Sequence, residues 1–322
     1  MGAAGTGSDP LAAAGVLFRD DTGRLMIVRA VYEAEHPVEV PGGGWETADA
    51  TPRDTAVREL LEEMGLRPEL RALACVDWSL GNRRPPIVSF LYWATAPGAD
   101  ELATVRLQED ELGGYAFVTP DQAASALPPN LSRRVMACLR TPAGTGPVEL
   151  EDSLPAGQSA ALLPPGPVPA YTKAAGLALA GGDRPPVVPP LDHDTYIATR
   201  PRIRAEAEVL TTGPDGRALV ARTTVAADRE TPRGAAARLL GTASGGPPPG
   251  RLLGLDWLPG GTGRTRLVFV FDGGPAGPAG PAGPANGAVP ATGARAAACL
   301  ARRGSARGPI ELVDGVAPHG SA

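Results

Sequence analysis

Three glutamates near residue 60 have the type and the spacing to bind a metal ion. Glu59, Glu62 and Glu63 stand three and four residues apart, which on a helix places all three carboxylates on one face within about one turn. Like charges this close repel one another, and oxygen ligands at this spacing suit a hard divalent cation such as Mg²⁺ or Mn²⁺. Such a cation would neutralise phosphate charge and make a water nucleophilic near neutral pH. A glutamate-rich helix is also typical of a solvated surface, so the pattern needs a second signal.

A glycine-rich segment, Pro41-Gly42-Gly43-Gly44, lies just upstream of these glutamates. Glycine tolerates positive φ and lets the backbone approach a ligand closely, so a phosphate would fit beside the metal. The helix that follows is well marked and is predicted from Pro52 to about Met64. Thr51 is placed to cap it, Pro52 suits its first position, and Gly65 is placed to end it.

The two segments together resemble the Nudix box, whose form is Gly, five residues, Glu, seven residues, then Arg-Glu-aliphatic-x-Glu-Glu-x-Gly-aliphatic. Arg58 to Leu66 matches the second part at every fixed position. The first part departs from the pattern, because counting back from Arg58 puts Gly44 at the glycine and Ala50 where the family has Glu. One extra residue in the loop would instead place Gly43 and Asp49 at these positions. We favour this alignment because Asp49 retains a carboxylate.

The resemblance covers about residues 12–150 and implies a Nudix-type α/β/α sandwich with a mixed sheet. It implies that Glu59, Glu62 and Glu63 ligate Mg²⁺ and that one carboxylate of the pair Glu62 and Glu63 is a candidate base for the attacking water. Arg58 would be structural and would pair with an acidic neighbour such as Asp49 or Glu62. Members generally hydrolyse a nucleoside diphosphate linked to another moiety, by water attack at phosphorus, which predicts a pyrophosphohydrolase acting on a small nucleotide-type substrate.

Two other functions stay open at this point. One is a Nudix-fold protein that binds or senses a nucleotide without hydrolysing it. The other is a Nudix-fold isomerase, which would need a reactive cysteine; Cys75 reads better as a core residue. Arg29, near the end of a predicted strand, is a weak candidate for holding a diphosphate.

The elements that must position these residues follow from hydrophobic patterning and turn signals. An Asp20-Asp21-Thr22-Gly23 turn joins the first two predicted strands into a hairpin. A further helix is expected at 131–139, and the predicted strands are 12–18, 24–30, 73–78, 87–94 and 114–118. Strands, helix, strands and helix in this order predict an α/β (α+β) sandwich.

An internal repeat divides the chain of 322 residues. Five short segments recur in one order, at 23–25 and 216–218, 51–53 and 231–233, 77–78 and 256–257, 137–139 and 298–300, and 147–150 and 309–312. Self-similarity in a fixed order is the sequence signature of a repeated architecture. We therefore predict a tandem duplication with a Nudix domain at 10–150, a Pro-rich linker at 151–195 and a degenerate Nudix-like domain at 196–322.

The second copy lacks the metal carboxylates. Its counterparts of Glu59, Glu62 and Glu63 are a leucine, a threonine and an alanine at 239, 242 and 243, whereas Arg238 and Glu230 keep the structural part of the box. We expect it to be inactive. It would serve as a built-in partner in an intramolecular pseudo-dimer, as an alternative to a homodimer, or it is a decaying duplicate without a role.

Charge and composition exclude several classes of protein. The net charge is −5; dividing the chain after Pro155 gives −10 (13 basic, 23 acidic) and +5 (17 basic, 12 acidic), so the halves would attract each other. The sequence has no dense basic run interleaved with aromatic residues, so we do not expect it to bind nucleic acid. It also has no apolar run long enough to span a membrane. Three scattered cysteines suit a reducing compartment, and the chain is predicted to be soluble and cytoplasmic.

Overall fold

The structure is a computed structural model that describes residues 9–32, 37–80, 85–142, 145–156, 180, 197–213, 215–227, 230–241, 248–261, 263–275, 288–303, 305 and 307–318. These residues form two units, each built on one mixed β-sheet with helices packed against it: the N-terminal unit (9–156) and the C-terminal unit (197–318). The predicted α/β (α+β) fold class is confirmed. Within the described ranges, no helix has the length and apolar character needed to cross a bilayer.

The N-terminal unit contains a nine-stranded sheet in the order β3-β2-β1-β6-β5-β8-β9, with β4 paired to β1 and β7 paired to β2. Its strands are β1 (Leu11–Arg19), β2 (Leu25–Ala30), β3 (Val38–Glu39), β4 (Gly42–Gly44), β5 (Leu70–Ser79), β6 (Ile87–Thr95), β7 (Leu112–Val118), β8 (Val148–Glu151) and β9 (Leu154–Pro155). Its helices are α1 (Pro52–Met64), α2 (Ala99–Leu102), α3 (Pro120–Ala126) and α4 (Pro129–Arg140).

The C-terminal unit contains a six-stranded sheet in the order β14-β11-β10-β13-β12-β15. Its strands are β10 (Arg204–Thr212), β11 (Ala218–Thr224), β12 (Leu252–Leu258), β13 (Arg266–Pro275), β14 (Val289–Pro290) and β15 (Ile310–Val313). Its helices are α5 (Pro232–Leu239) and α6 (Ala294–Arg303).

The central strands of the two sheets have the same order and the same directions. The order β2-β1-β6-β5-β8 in the first sheet matches β11-β10-β13-β12-β15 in the second, with β1–β6 and β5–β8 parallel, as are β10–β13 and β12–β15. The registers also match: Asp77 lies opposite Leu150, and Asp256 lies opposite Leu312. These partners are the positions that the sequence comparison aligned.

A buried aspartate binds equivalent groups in both units. Asp77, in β5, accepts a hydrogen bond from Arg134 (2.9 Å) and one from the backbone amide at position 153 (3.0 Å). Asp256, in β12, pairs with Arg295 (2.6 Å) and accepts from the backbone amide at position 315 (2.9 Å). In each unit the aspartate therefore links a sheet strand to the last helix and to the turn that follows the last parallel strand.

The two units pack together through equivalent aromatic residues. Trp78 of β5 packs edge-on against Phe269 of β13, with ring centroids 5.9 Å apart. Trp257 of β12 packs in the same way against Phe90 of β6, at 6.1 Å. Buried residues of both units belong to one continuous hydrophobic core. The match is not complete, since the Trp257 indole donates to the carbonyl of Ala50 (2.8 Å) while the Trp78 indole nitrogen has no hydrogen-bond partner in the described chain.

The predicted strands and helices are found with shifts of a few residues at their ends, and α1 has the predicted bounds. One segment differs from its interpretation: Leu154 and Pro155, which composition places in the Pro-rich stretch, form β9 and pair with β8. The frequent prolines predicted a linker here, but Leu154 is buried and belongs to the folded N-terminal unit. Most of the predicted linker, 157–179 and 181–196, lies outside the described residues. Ala180 bridges to Tyr115 of β7.

Candidate active site

Helix α1 carries the candidate glutamates, and its ends are fixed by local chemistry. The Thr51 side chain accepts a hydrogen bond from the Asp54 amide, and Pro52 occupies the first turn, where a missing N–H costs nothing. Gly65 ends the helix in the left-handed conformation, with φ 70°. The apolar face of α1 buries residues such as Ala56, Leu60 and Met64 in the core against β1.

Two of the three glutamates are buried between α1 and the glycine-rich strand β4. Glu63 is 4% exposed and accepts a hydrogen bond from the Gly42 amide (3.1 Å). Burial raises the pKa of Glu63 well above its ordinary value, and the negative charge of Glu59 adds to this effect. Burial also raises the pKa of Glu59 to about 7, although the charge of neighbouring Arg58 opposes the shift. Both carboxylates therefore favour a compensating positive charge.

The glycines of β4 are required by this packing. A β-carbon at Gly43 would lie 2.5 Å from the carboxyl carbon of Glu59, and one at Gly42 would come against the carbonyl of Ala14 in β1. Gly42 also has a φ of 141°, which side chains rarely adopt. The glycine run is thus a strand that pairs with β1 rather than the loop that its composition predicted.

Arg58 joins the glycine-rich strand, the loop after it and helix α1. Its guanidinium pairs with Asp49 (3.0 Å), Glu62 (2.8 Å) and Glu59 (3.0 Å), and it donates to the carbonyl of Gly44 (3.0 Å). Arg58 therefore contacts both acidic neighbours that the resemblance offered as alternatives. The Arg58 guanidinium therefore orients the carboxylates that surround it.

Asp49 fixes the loop between β4 and α1. Burial alone would raise its pKa, but hydrogen bonds from Arg58, the Glu46 amide and the Thr55 hydroxyl bring the pKa below its ordinary value. The neighbouring Ala50 supplies a backbone carbonyl to Trp257 of the C-terminal unit. Asp49 is accordingly the carboxylate that supports this loop in the structure.

Glu62 differs from the other two glutamates in its exposure to solvent. Its side chain is 51% exposed and is held by Arg58 four residues earlier. Among the residues that the structure describes, no three His, Cys, Asp or Glu side chains are grouped closely enough to hold a metal ion. The helix brings Glu59 and Glu63 together at β4, and it leaves Glu62 at the edge of the site.

Two acidic residues near Glu63 were not predicted from the sequence to belong to the site. The charges of Glu111, just before β7, and of Glu39, in β3, both raise the pKa of Glu63. The segment before β7 is held against α1, because the Gln108 amide donates to the carbonyl of Glu63 (2.9 Å). Glu39 precedes the glycine run closely enough to be noticed, whereas nothing in the local sequence connects Glu111 with α1.

Arg29 and Cys75 are the two remaining candidate residues. Arg29 lies in β2 opposite Val38, one residue from Glu39. Cys75 is fully buried, and burial raises the pKa of its thiol well above the ordinary value. That environment does not favour a reactive cysteine.

The corresponding region of the C-terminal unit keeps a structural pair and lacks carboxylates. Arg238 of α5 pairs with Glu230 (2.7 Å), as Arg58 does with Asp49. Leu239, at the position equivalent to Glu59, is partly buried and packs against the hydrophobic core. Positions 242 and 243 lie outside the described residues. Helix α5 spans 8 residues against 13 in α1.

The segment that contains this site matches a known family of domains. Residues 9–137 match the family model of the NUDIX domain. A search of curated proteins found no match. Solved structures similar to this chain include a MutT NUDIX hydrolase from Burkholderia pseudomallei (22% identity, 42% of this chain and 100% of that chain, TM-score 0.32). Others are a MutT protein from Methanosarcina mazei Go1 (18%, 38% and 88%, 0.33) and an ADP-ribose pyrophosphatase from Streptococcus suis (16%, 44% and 98%, 0.33).

Proposed function

We propose that residues 9–137, which match the NUDIX domain model, form a Mg²⁺-dependent hydrolase that cleaves a nucleoside diphosphate derivative. The observation that carries the proposal is the pair of buried carboxylates, Glu59 and Glu63, against the glycine-rich strand β4. Glu63 forms no ion pair with any described residue and faces the charges of Glu59, Glu111 and Glu39. An excess of buried negative charge suits a divalent cation with oxygen ligands.

The chain's own residues have separate tasks in this proposal. The buried Glu59 and Glu63 would hold Mg²⁺, and the exposed Glu62 at the edge of the site is the third ligand that the resemblance implies. The bound ion would neutralise phosphate charge and acidify water. Arg58 orients the carboxylates of Glu59 and Glu62, and Asp49 keeps Arg58 in place. One carboxylate of the pair Glu62 and Glu63 accepts a proton as water attacks phosphorus. The bond from that phosphorus to the bridging oxygen breaks, and two phosphate monoesters are released.

Hydrolysis tests this proposal directly. Purified full-length protein is incubated with a panel of nucleoside diphosphate derivatives, with and without Mg²⁺, and nucleoside monophosphate is measured. We expect metal-dependent turnover, and we expect Glu63→Gln to lower kcat by about 10²- to 10⁴-fold, the range for loss of a general base. Glu69→Gln, an exposed position outside the site, is the matched control.

The result also separates this function from its alternative. Tight nucleotide binding without turnover at saturating metal would contradict hydrolysis and would favour a NUDIX-fold protein that binds or senses nucleotides. An isomerase receives no support from the buried Cys75.

We further propose that the C-terminal unit is a duplicated copy of the N-terminal unit that acts as its built-in partner. The matching strand order, the matching registers and the equivalent contacts across the junction support this relationship. The opposite net charges of the two halves favour the same docking. We expect the full-length chain to sediment as a monomer, since this face is already covered. A stable dimer formed through Trp78 and Trp257 would contradict the proposal.

A further inference from the structure

A cleft of about 890 Å³ lies at the junction of the two units. The N-terminal unit contributes the ends of β1 and β6, the beginning of β5 and the C-terminal end of α4. The C-terminal unit contributes residues from the end of α6 to the beginning of β15. None of Glu59, Glu62 and Glu63 lines it. Arg19, on its wall, lies four residues along β1 from Gly15, the residue that pairs with Gly42 of β4. At about 3.3 Å per residue, Arg19 therefore lies roughly 13 Å along β1 from the position that pairs with β4.

Four arginines line this cleft, and none of them forms a salt bridge with a residue that the structure describes. They are Arg19, Arg71, Arg302 and Arg307. Of the three acidic residues on the walls, Asp20 already pairs with Arg24 (2.8 Å) and Glu311 with Arg53 (2.8 Å). Only Asp21 remains without such a pair among the lining carboxylates of the described chain. The cleft therefore has an excess of positive charge.

A further arginine increases this charge. The Arg251 guanidinium donates to backbone carbonyls at the end of α6 and beyond it, including that of Arg307 (2.8 Å). Burial lowers the pKa of Arg302, and the positive charges of Arg307 and Arg251 lower it further. Cations that repel one another in a partly buried cleft are stabilised by a bound anion, and arginine is well suited to phosphate.

The walls between the arginines are apolar and include one indole ring. Trp93 of β6 is partly exposed at the cleft, whereas the three other tryptophans of the chain are buried. Leu139 also lines the cleft, and like Trp93 it packs against the hydrophobic cluster between the first sheet and α4. A volume of this size accommodates a small molecule with a ring system, and an aromatic face beside arginines suits a nucleobase near its phosphate.

We propose that this cleft is a second anion site that binds a nucleoside monophosphate, with the phosphate on the arginines and the base against Trp93. The site is separate from the carboxylate site and does not depend on the proposed hydrolysis. It requires both units, because Arg302 and Arg307 belong to the C-terminal unit and Arg19 and Arg71 to the N-terminal unit.

The test measures AMP binding to the full-length chain in EDTA, by calorimetry and by quenching of tryptophan fluorescence. We expect saturable binding with one site, and we expect Arg71→Ala/Arg302→Ala to weaken it at least tenfold. The control Arg67→Ala/Arg217→Ala removes the same charge from exposed positions outside the cleft and should change affinity less than twofold. The exposed single variant Arg307→Glu should also weaken binding, which covers the case that the double variant does not fold.

Two competitors identify the group that is recognised. Inorganic phosphate should displace AMP, and adenosine should displace it far less well. The proposal is overturned if the wild-type chain does not bind AMP at millimolar concentration, if adenosine competes as well as phosphate, or if the arginine variants bind normally. Loss of AMP binding in Glu59→Gln/Glu63→Gln would place the ligand at the carboxylate site and would also overturn it. The AMP-binding measurements do not test metal-dependent turnover, which is measured separately.

Discussion

Arg53 and Glu311 form an ion pair across the junction of the two units, with 2.8 Å between Arg53 Nη2 and Glu311 Oε2. The equivalent pair, Arg233 and Glu149, lies on the other side of the junction at 2.5 Å. Each arginine is the second residue of its helix, and each glutamate is the second residue of its strand. Each guanidinium also lies over an aromatic ring of its own unit's sheet. The same contact is thus made twice, once in each direction, as in a two-fold interface.

Breaking one of these pairs should destabilise the folded chain. Glu311→Gln leaves the guanidinium of Arg53 largely buried without its counter-charge, so we expect the free energy of unfolding to fall by about 3 kcal/mol. Urea unfolding measures this change. The double-mutant cycle with Arg53→Ala and Glu311→Ala should give a coupling energy above about 0.5 kcal/mol. Glu69→Gln is the exposed control, and an equal effect from that control would contradict the prediction.

Removing the C-terminal unit should expose apolar surface on the N-terminal unit. A chain of residues 1–156 loses the cover over Trp78 and Phe90, so we expect self-association that increases with protein concentration. Light scattering after size-exclusion chromatography measures the mass. A truncated chain that stays monomeric and as stable as the full-length chain would show that the junction contributes little to stability.

Replacing Gly43 with alanine should disturb the carboxylate site. The added β-carbon would lie 2.5 Å from the carboxyl carbon of Glu59, so this side chain must move. We expect weaker activation by Mg²⁺, seen as a higher metal concentration at half-maximal rate. Gly98→Ala is a suitable control, since its β-carbon meets nothing closer than 3.7 Å. Unchanged metal activation would mean that Glu59 does not hold the metal.

Asp49→Asn should weaken the loop between β4 and α1. It replaces a charge-assisted bond to Arg58, which we expect to lower the free energy of unfolding at pH 7 by about 2 kcal/mol. The pKa of Asp49 is lowered in the folded state, so its contribution is present above its unfolded value of 3.8 and disappears as pH falls through the folded value. The difference between wild type and variant should therefore shrink with acidification. A difference that is constant with pH would exclude ionised Asp49 as its source.

The cysteines should be inert in the folded chain. Cys75, Cys138 and Cys299 are buried, and burial raises the pKa of the Cys299 thiol to about 12. Because the thiolate is the reactive form, a disulfide reagent at pH 8 should label none of them in native protein and all three in denaturant. Rapid labelling of native Cys75 would revive the isomerase alternative.

Helix α1 and the repeat were determined by the sequence itself. Thr51, Pro52 and Gly65 fix the ends of α1 through bonds within a few residues, so local chemistry is sufficient to place it. The apolar runs likewise located the strands, because burial of one or both faces imposes a period on the side chains. The offsets between matching segments aligned Asp77 with Asp256 and Leu150 with Leu312, and these positions have the same register in the two sheets.

The tertiary structure decided which of these residues meet. It made a strand of Gly42–Gly44, which has no side-chain period to reveal it. It buried Glu59 and Glu63 while it left Glu62 exposed. It also brought Glu111 to α1, Glu311 to Arg53, and four arginines of two units to one cleft. The contacts of Glu111, Glu311 and the cleft arginines join residues far apart in the chain, and their energy depends on how whole sheets pack. A local sequence pattern predicts the secondary structure of a segment. It does not predict which distant residues will contact that segment in the folded chain.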